Sequence, residues 1–224
     1  GRGNMTMFYT AKDNSGASAG FDLDMEDVMV EKLIGLYPAI DTLVPMLRSF
    51  EGVVDCQVTA TCKMDSTMSL ELPSLHSACY LHGENMVLLD GETFTEISKT
   101  LMFKNKKRNV IDSISVDLAI KDNKIEVFPF LVEMDRYKVA VGGTHNLDMT
   151  FNYHLSVLKS PVPFKLGIDI TGNLDDFKYK IVKCRYKDLF KPAKEAELDS
   201  TRTNVRKEIR ESIRNQIRET APEL

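Results

Sequence analysis

The sequence predicts an α+β fold: a curved, mainly antiparallel β-sheet meander covered by a few short helices, with a C-terminal helix. Three observations predict it. Apolar side chains recur at every second position through Ile111 to Ile181. Ile114, Val116, Leu118 and Ile120 alternate with Ser113, Ser115, Asp117 and Ala119, and Met149, Phe151, Tyr153, Leu155 and Val157 alternate with Thr150, Asn152, His154 and Ser156. A period of two describes strands with one apolar face. The breaks are short and polar, at Asp122-Asn123, Asp135-Arg136, His145-Asn146 and Asn173 to Asp175. Such connections close hairpins but are too short for the crossovers that parallel pairing requires. Near the end, Val205, Ile209, Ile213 and Ile217 recur at every fourth residue among Arg and Glu, which is a helical period.

In chain order, a short strand over Met5 to Thr10 leads into small and polar residues at 11–20, expected to form a flexible loop. Asp24 is placed to cap a helix from Met25 to Leu36, and Pro38 forces a break before a second helix over Ala39 to Ser49. A long strand follows over Val53 to Met64. Two more are predicted at Ser74 to His82 and Asn85 to Leu89, joined by a turn at His82-Gly83-Glu84-Asn85. A third helix is expected over Glu92 to Phe103, with Lys104, Lys106, Lys107 and Arg108 complementing its C-terminus. The meander strands are predicted at 110–120, 124–133, 136–144, 147–158, 164–171 and 176–185. In the second of these, Phe128, Phe130, Leu131 and Val132 predict burial on both faces, and Pro129 an edge or a bulge. The tail from Ala193 to Thr220 reads as a helix that Asp199 or Ser200 could cap. The division expected is a strand and loop at 1–20, an α+β sheet domain at 21–190 and a charged helix at 191–224.

A chain of 224 residues with 43% hydrophobic content is long enough for a sizeable core, and its formal net charge of −4 offers no general attraction to nucleic acid or anionic lipid. No run of roughly 18 apolar residues is present to span a bilayer as a helix. The four cysteines, Cys56, Cys62, Cys79 and Cys184, lack the spacing of a zinc site. Cys56 and Cys62 share one strand face with Val54, Val58, Ala60 and Met64, which at ~3.3 Å per residue separates the thiols by roughly 20 Å, beyond disulfide reach. They are expected as buried free thiols, with a pairing of Cys79 the alternative. His76, His82, His145 and His154 have no metal-ligand spacing, and His154 is expected at the surface. Gly142-Gly143 reads as a bulge or sharp bend. No nucleophile elbow or phosphate-cradling loop is present. The expectation is a chain that is not an enzyme and carries no cofactor or metal.

The order of motifs in the meander resembles the C-terminal region of the AsmA family of Gram-negative envelope proteins. The resemblance lies in Ile114 to Ile120 closed by Lys121-Asp-Asn-Lys124, then Ile125 to Leu131, Tyr137-Lys-Val-Ala-Val-Gly-Gly143, Asn146-Leu-Asp148, Phe151-Asn-Tyr-His-Leu155, and Pro163 to Gly172 before Leu174-Asp-Asp176. It covers residues 91–186. The chain departs from the pattern at Asn173 and at Asp176, where many relatives carry a proline after the closing glycine.

The resemblance implies a periplasmic protein tethered to the inner membrane by a segment upstream of Gly1, acting in outer-membrane biogenesis and in phospholipid movement between membranes. Such relatives are similar to bridge-like lipid-transfer proteins, whose curled sheet lines a groove for acyl chains. On that reading the lipid-facing candidates are Ile114, Val116, Leu118, Val127, Val139, Val141, Phe151, Tyr153, Leu155, Leu166 and Ile168, and the partners expected are phospholipid or fatty acyl chains. Residue pattern alone leaves the cover of the apolar face open. Burial contributes about 25 cal/mol per Å² whether helices or lipids supply it. The stripe Val205, Ile209, Ile213 and Ile217 is likewise open between the chain's own sheet, an envelope protein partner and a membrane surface.

Overall fold

The structure, a computed structural model, describes residues 1–12, 16–36, 45–88, 109–134, 137–148, 150–161, 165–173 and 176–220. Its first element corrects the sequence reading. Residues 16–29 are not a loop leading into a helix but a strand, β2 (Gly16–Met29), paired with β1 (Arg2–Lys12) in an unbroken antiparallel register from Arg2↔Glu26 to Lys12↔Gly16. Ala19, Phe21, Leu23 and Met25 alternate with Ser18, Gly20, Asp22 and Asp24, so the period is two. The carboxylate of Asp24 belongs to the polar side of a strand rather than to a helix cap. Pairing on both flanks, with β1 and with β4 (Val53–Met64), outweighs the capping signal. The strand carries a bulge between Met25 and Val28, where Asp27 takes φ 55°, and pairing with β4 resumes at Val28↔Val54 and Met29↔Val53. Only α1 (Val30–Leu36) is helical, its Val30 N–H donating to Gly52 O at 3.0 Å. Of the second expected helix, the described part is one 3-10 turn at Pro45–Ser49; residues 37–44 lie outside the described residues.

The sheet continues through β3 (Phe50–Glu51), β4, β5 (His76–Leu88), β6 (Asn109–Lys121), β7 (Lys124–Met134), β8 (Tyr137–Asn146), β9 (Phe151–Lys159), β10 (Leu166–Gly172) and β11 (Phe177–Val182). It is one open, curved antiparallel sheet in the order β1-β2-β4-β5-β6-β7-β8-β9-β10-β11, with β3 pairing β5. The predicted turn at 82–85 is absent. β5 runs through it, with His82, Gly83 and Glu84 opposite Ser115, Ile114 and Ser113, and only Asn85 (φ 52°) interrupts the ladder. A Cβ on Gly83 would lie 2.7 Å from Met86 Sδ, so glycine is there for close packing. The Asp122-Asn123 turn is as expected, with both residues at positive φ (53° and 62°), the geometry that matches strand twist. β9 starts at Phe151 rather than 147 because Asp148 Oδ1 accepts from Thr150 N (2.9 Å) and Thr150 Oγ1 (2.6 Å), fixing a turn. The helix predicted over 92–103 and the basic cluster at 104–108 lie outside the described residues.

Three groups of buried side chains share the apolar face. Met25, Val54, Cys56, Leu81, Met86, Ile111 and Ile114 pack beneath Val30 and Leu33 of α1. Leu118, Ile120, Ile125 and Val127 follow, joined to the first group through Val116, Cys79 and Phe130. Val139, Val157, Ile168 and Ile170 form the third. Pro129 sits in the bulge between Val127 and Phe130, and pairing of β7 with β6 ends at Val127, as a residue without an N–H requires. Phe128, Phe130, Leu131 and Val132 are half-buried, not sealed on both faces. Gly142-Gly143 keep a continuous register with β9, and the bulge at this point lies in β7 opposite, between Val127 and Phe130. A Cβ on Gly142 would lie 2.9 Å from Pro129 Cα and 3.0 Å from Tyr186 Oη, so the residue admits the bulge opposite and the chain crossing above.

After β11 the chain folds back over the polar face of β8 to β10. Gly167 admits it, since a Cβ there would stand 2.5 Å from Lys183 O. Gly167→Ala is therefore expected to destabilise by about 1–3 kcal/mol, the cost of overpacking against backbone. Urea unfolding checks this, and an unchanged midpoint would refute it.

The two faces of the sheet as a candidate binding site

Register brings all eleven lipid-facing candidates of β6 to β10 onto one face. Val116 stands opposite Leu81, Leu118 between Cys79 and Val127, and Val127 opposite Gly143. Val139 and Val141 stand opposite Val157 and Leu155, and Phe151 and Tyr153 opposite His145 and Gly143. Leu155 and Val157 meet Ile168 and Leu166 across the next pair, and Ile114 faces Gly83. Ile114, Leu118, Val127, Val139 and Ile168 are buried, whereas Val116, Val141, Phe151, Tyr153, Leu155 and Leu166 are half-buried. The latter six are the ones an external apolar ligand can touch.

The face is wider than the sequence candidates. Leu23, Phe21 and Val58 continue it toward β1, where Met5, Met7 and Tyr9 are 39%, 67% and 48% exposed. On the other side it reaches Tyr179 and Ile181 of β11, 48% and 59% exposed. The apolar surface therefore runs to both lateral margins of the sheet without a polar rim. Reading 11–20 as a loop and 25–36 as a helix hid the β2 portion, although the alternation of residues 17–25 carried the signal. α1 and Leu47 pack over one end, and Leu75 and Leu147 over the other. One polar pair interrupts the face, with His145 Nδ1 and Tyr153 Oη 2.8 Å apart. Burial pushes the Tyr153 hydroxyl up to about 12, so it stays protonated.

The opposite face is polar and carries α2 (Pro192–Thr220). Pro192 opens this helix, so Asp199 and Ser200 lie inside it rather than at its cap. α2 contacts β1, β2, β4, β5 and β6. Asp24, Gln57, Tyr80 and Asp117 stand in one row across four strands. Arginines at every fourth position climb ~6 Å per step, close to the ~4.8 Å between strands, so successive guanidiniums meet successive parts of the sheet. Arg214 Nε donates to Asp22 Oδ2 (3.0 Å), and Arg210 reaches Asp22 Oδ1 (2.9 Å), Asp24 Oδ2 (2.6 Å) and Gln57 Oε1 (3.2 Å). Arg206 donates to Asp117 Oδ1 (3.0 Å) and lies 4.4 Å over the Tyr80 ring. Arg202, buried, pairs with Asp199 and reaches Pro129 O (3.4 Å). Of the apolar stripe, Ile213 is buried and Val205 and Ile209 are half-buried, so the fold itself takes up most of it. The side chain of Ile217 lies outside the described residues.

The two central carboxylates titrate in opposite directions. Burial raises Asp22, but hydrogen bonds from Thr59, Arg210 and Arg214 together outweigh it and hold the carboxyl below its ordinary value. Burial raises Asp117 too, and the charges of Arg206 and Arg202 do not offset it, so this carboxyl lies above the ordinary value.

His154 is buried, not at the surface, because the returning chain covers it. Arg185 N–H donates to its Nε2 (3.2 Å), which leaves the proton on Nδ1, facing Asp169 Oδ1 at 2.6 Å. Ser156 Oγ lies 2.9 Å from Nε2 and accepts from Tyr186 N–H at 3.0 Å. The guanidinium of Arg185 closes the ring on Asp169. Carboxylate, imidazole and hydroxyl stand in the order of a hydrolase triad, but Ser156 is fully buried and its oxygen is occupied by backbone. The cluster acts as a latch for residues 183–190. The four cysteines are free, and the Cys56 and Cys79 thiols, diagonal neighbours on β4 and β5, share a hydrogen bond. That bond, and burial, push Cys79 well above the usual thiol range. Among the described residues no group of three or more His, Cys, Asp or Glu could hold a metal ion, and no helix is long and apolar enough to cross a membrane.

Two expectations follow for the helix. Arg210→Ala strips Asp22 and Asp24 of their shared partner and is expected to cost about 3 kcal/mol, the low end for breaking a buried pair because Thr59 and Arg214 remain. The exposed Lys207→Ala should change stability by less than ~0.5 kcal/mol. Urea unfolding of both variants decides, and equal effects would contradict the ladder. The pH dependence has two signs. Asp22, lowered in the folded chain, contributes stability above the ordinary carboxylate range that is lost as pH falls through its folded value. Asp117, raised in the folded chain, adds stability as pH falls from its folded value toward the ordinary range. Asp22→Asn should flatten the first change and Asp117→Asn the second in unfolding series at stepped pH.

Comparison of the chain with protein-family models, with curated proteins and with solved structures gives no match.

Proposed function

We propose that this chain is a non-enzymatic cell-envelope module that handles phospholipid, guiding acyl chains along the apolar face of its curved sheet as part of outer-membrane biogenesis. The observation that carries this reading is the continuity of that face. It extends from Met5, Met7 and Tyr9 on β1 to Tyr179 and Ile181 on β11, and its margins remain exposed. Each methylene of an acyl chain laid on such a surface contributes about 0.8 kcal/mol on leaving water. The head group needs no pocket, because it stays in water beyond the margin. The motif order in residues 91–186, with its resemblance to the AsmA family, supports a periplasmic setting and an inner-membrane tether. A structural or partner-binding envelope module is the second reading. It is favoured by the tight burial of Val157 and Ile168, both 1% exposed, which leaves that part of the face already packed.

Native mass spectrometry of the purified chain, with extraction and identification of bound lipid, separates the two. The expected result is phospholipid in near-stoichiometric amount. Val116→Asp and Phe151→Asp, at half-buried positions, should abolish retention while circular dichroism shows the sheet intact. A lipid-free mass, or retention unchanged by both substitutions, would defeat the lipid reading.

A further inference from the structure

We propose that the outer edge of β1 is an acceptor for one further β-strand, an extended polypeptide segment from another molecule that carries apolar side chains at every second position. The two margins of the sheet differ in how they are guarded. β11 is six residues long and carries Lys178 and Lys180, with Lys183 just beyond, all exposed. Lysines on a short edge strand are the usual protection against edge pairing. β1 is eleven residues long, keeps its register with β2 without a bulge, and has no charge and no proline from Gly3 to Tyr9. Among the described residues no strand pairs with its outer side.

An unguarded edge of this length offers backbone groups to an incoming strand, and the side chains on it indicate what kind. Met5, Met7 and Tyr9 project on the apolar face and are exposed, while Asn4 and Thr6 alternate with them. Beside them stands the turn after β4, whose Met68 and Leu70 are each 56% exposed and which is tied to β1 by Tyr9 Oη donating to Met68 Sδ at 3.3 Å. A strand added at β1 would cover these apolar groups and carry the face one strand further. The inner side of β1 shows the matching chemistry. There Leu23, Phe21 and Ala19 of β2 oppose Met5, Met7 and Tyr9, and Glu26 pairs with Arg2 at 2.8 Å. A partner with the same alternation and an acidic end opposite Arg2 meets the same side chains from outside.

The test uses a labelled synthetic peptide with the sequence of residues 16–26, added to the intact chain and followed by fluorescence anisotropy. Saturable binding is expected, weakened at least tenfold by Met7→Lys, which places a guarding charge at a 67% exposed position and should leave the thermal midpoint unchanged. A peptide of the same composition with its apolar residues grouped together should bind at least tenfold more weakly. Absence of saturable binding, equal binding of the grouped peptide, or indifference to Met7→Lys would overturn the proposal. Lipid retention is read separately by mass spectrometry, so either idea can fail alone.

Discussion

The structure depends on one constraint: a wide antiparallel sheet with unlike faces has to find a cover for each of them. The apolar face loses free energy to water at every exposed side chain, and curvature, α1 and the 3-10 turn at Pro45–Ser49 remove part of that cost by bringing buried groups together. The polar face has the opposite difficulty. Asp22, Thr59, Asp117, His154 and Ser156 are all buried there, and each burial is costly unless a partner stands within hydrogen-bonding distance. Thr59 donates to Asp22 within the sheet, and the final forty residues supply further partners, in two stages. Residues 183–190 bring backbone amides to His154 and Ser156, and α2 then brings arginines to Asp117, Asp24 and Asp22.

This division explains why α2 is charged. A helix laid on an apolar sheet face would read as a broad greasy stripe, whereas this one reads as a narrow stripe beside a column of arginines. Arg202, Arg206, Arg210 and Arg214 form the docking surface, and Ile213 is the one fully buried apolar contact described on the helix. Most of the energy of such a surface lies in not leaving its carboxylates alone. Opposed ion pairs stabilise little compared with an apolar isostere but cost heavily when one partner is removed.

The strand content of the meander was legible in the sequence because β6, β9 and β10 keep a clean period of two and the turns at Asp122-Asn123 and Asp148 carry Asx chemistry. Asp122-Asn123 and Asp148 act in the structure as their residue types require. The failures have a common physical origin. Asp24 and the acidic residues after it mimic a helix start, and His82-Gly83-Glu84-Asn85 mimics a turn, yet both segments are held as strand by neighbours on two sides, which no local window contains. The burial of His154 was illegible for a different reason. It depends on a chain segment thirty residues downstream crossing the sheet, and on Gly142 and Gly167 leaving space for it. The arginine column was in plain view at every fourth residue, but read alone it is indistinguishable from a solvated helix face. Only the row Asp24, Gln57, Tyr80 and Asp117, assembled by register from four strands, gives it a meaning.

The same separation of faces bears on how binding at one face would be felt at the other. Val116 and Leu118 lie on the apolar face, and between them on β6 Asp117 points the other way, to Arg206. On β9, Leu155 lies between His154 and Ser156, the two residues that hold the returning chain. The apolar face and the docking surface are therefore joined through adjacent residues of the same strands. The arginine ladder ties α2 across β2 to β6, from Asp22 to Asp117, while the polar latch ties Arg185 and Tyr186 to β9. The helix thus backs the part of the sheet from β1 to β6, opposite the apolar face. That makes the charged C-terminal segment a support of the apolar face although it contributes none of its surface.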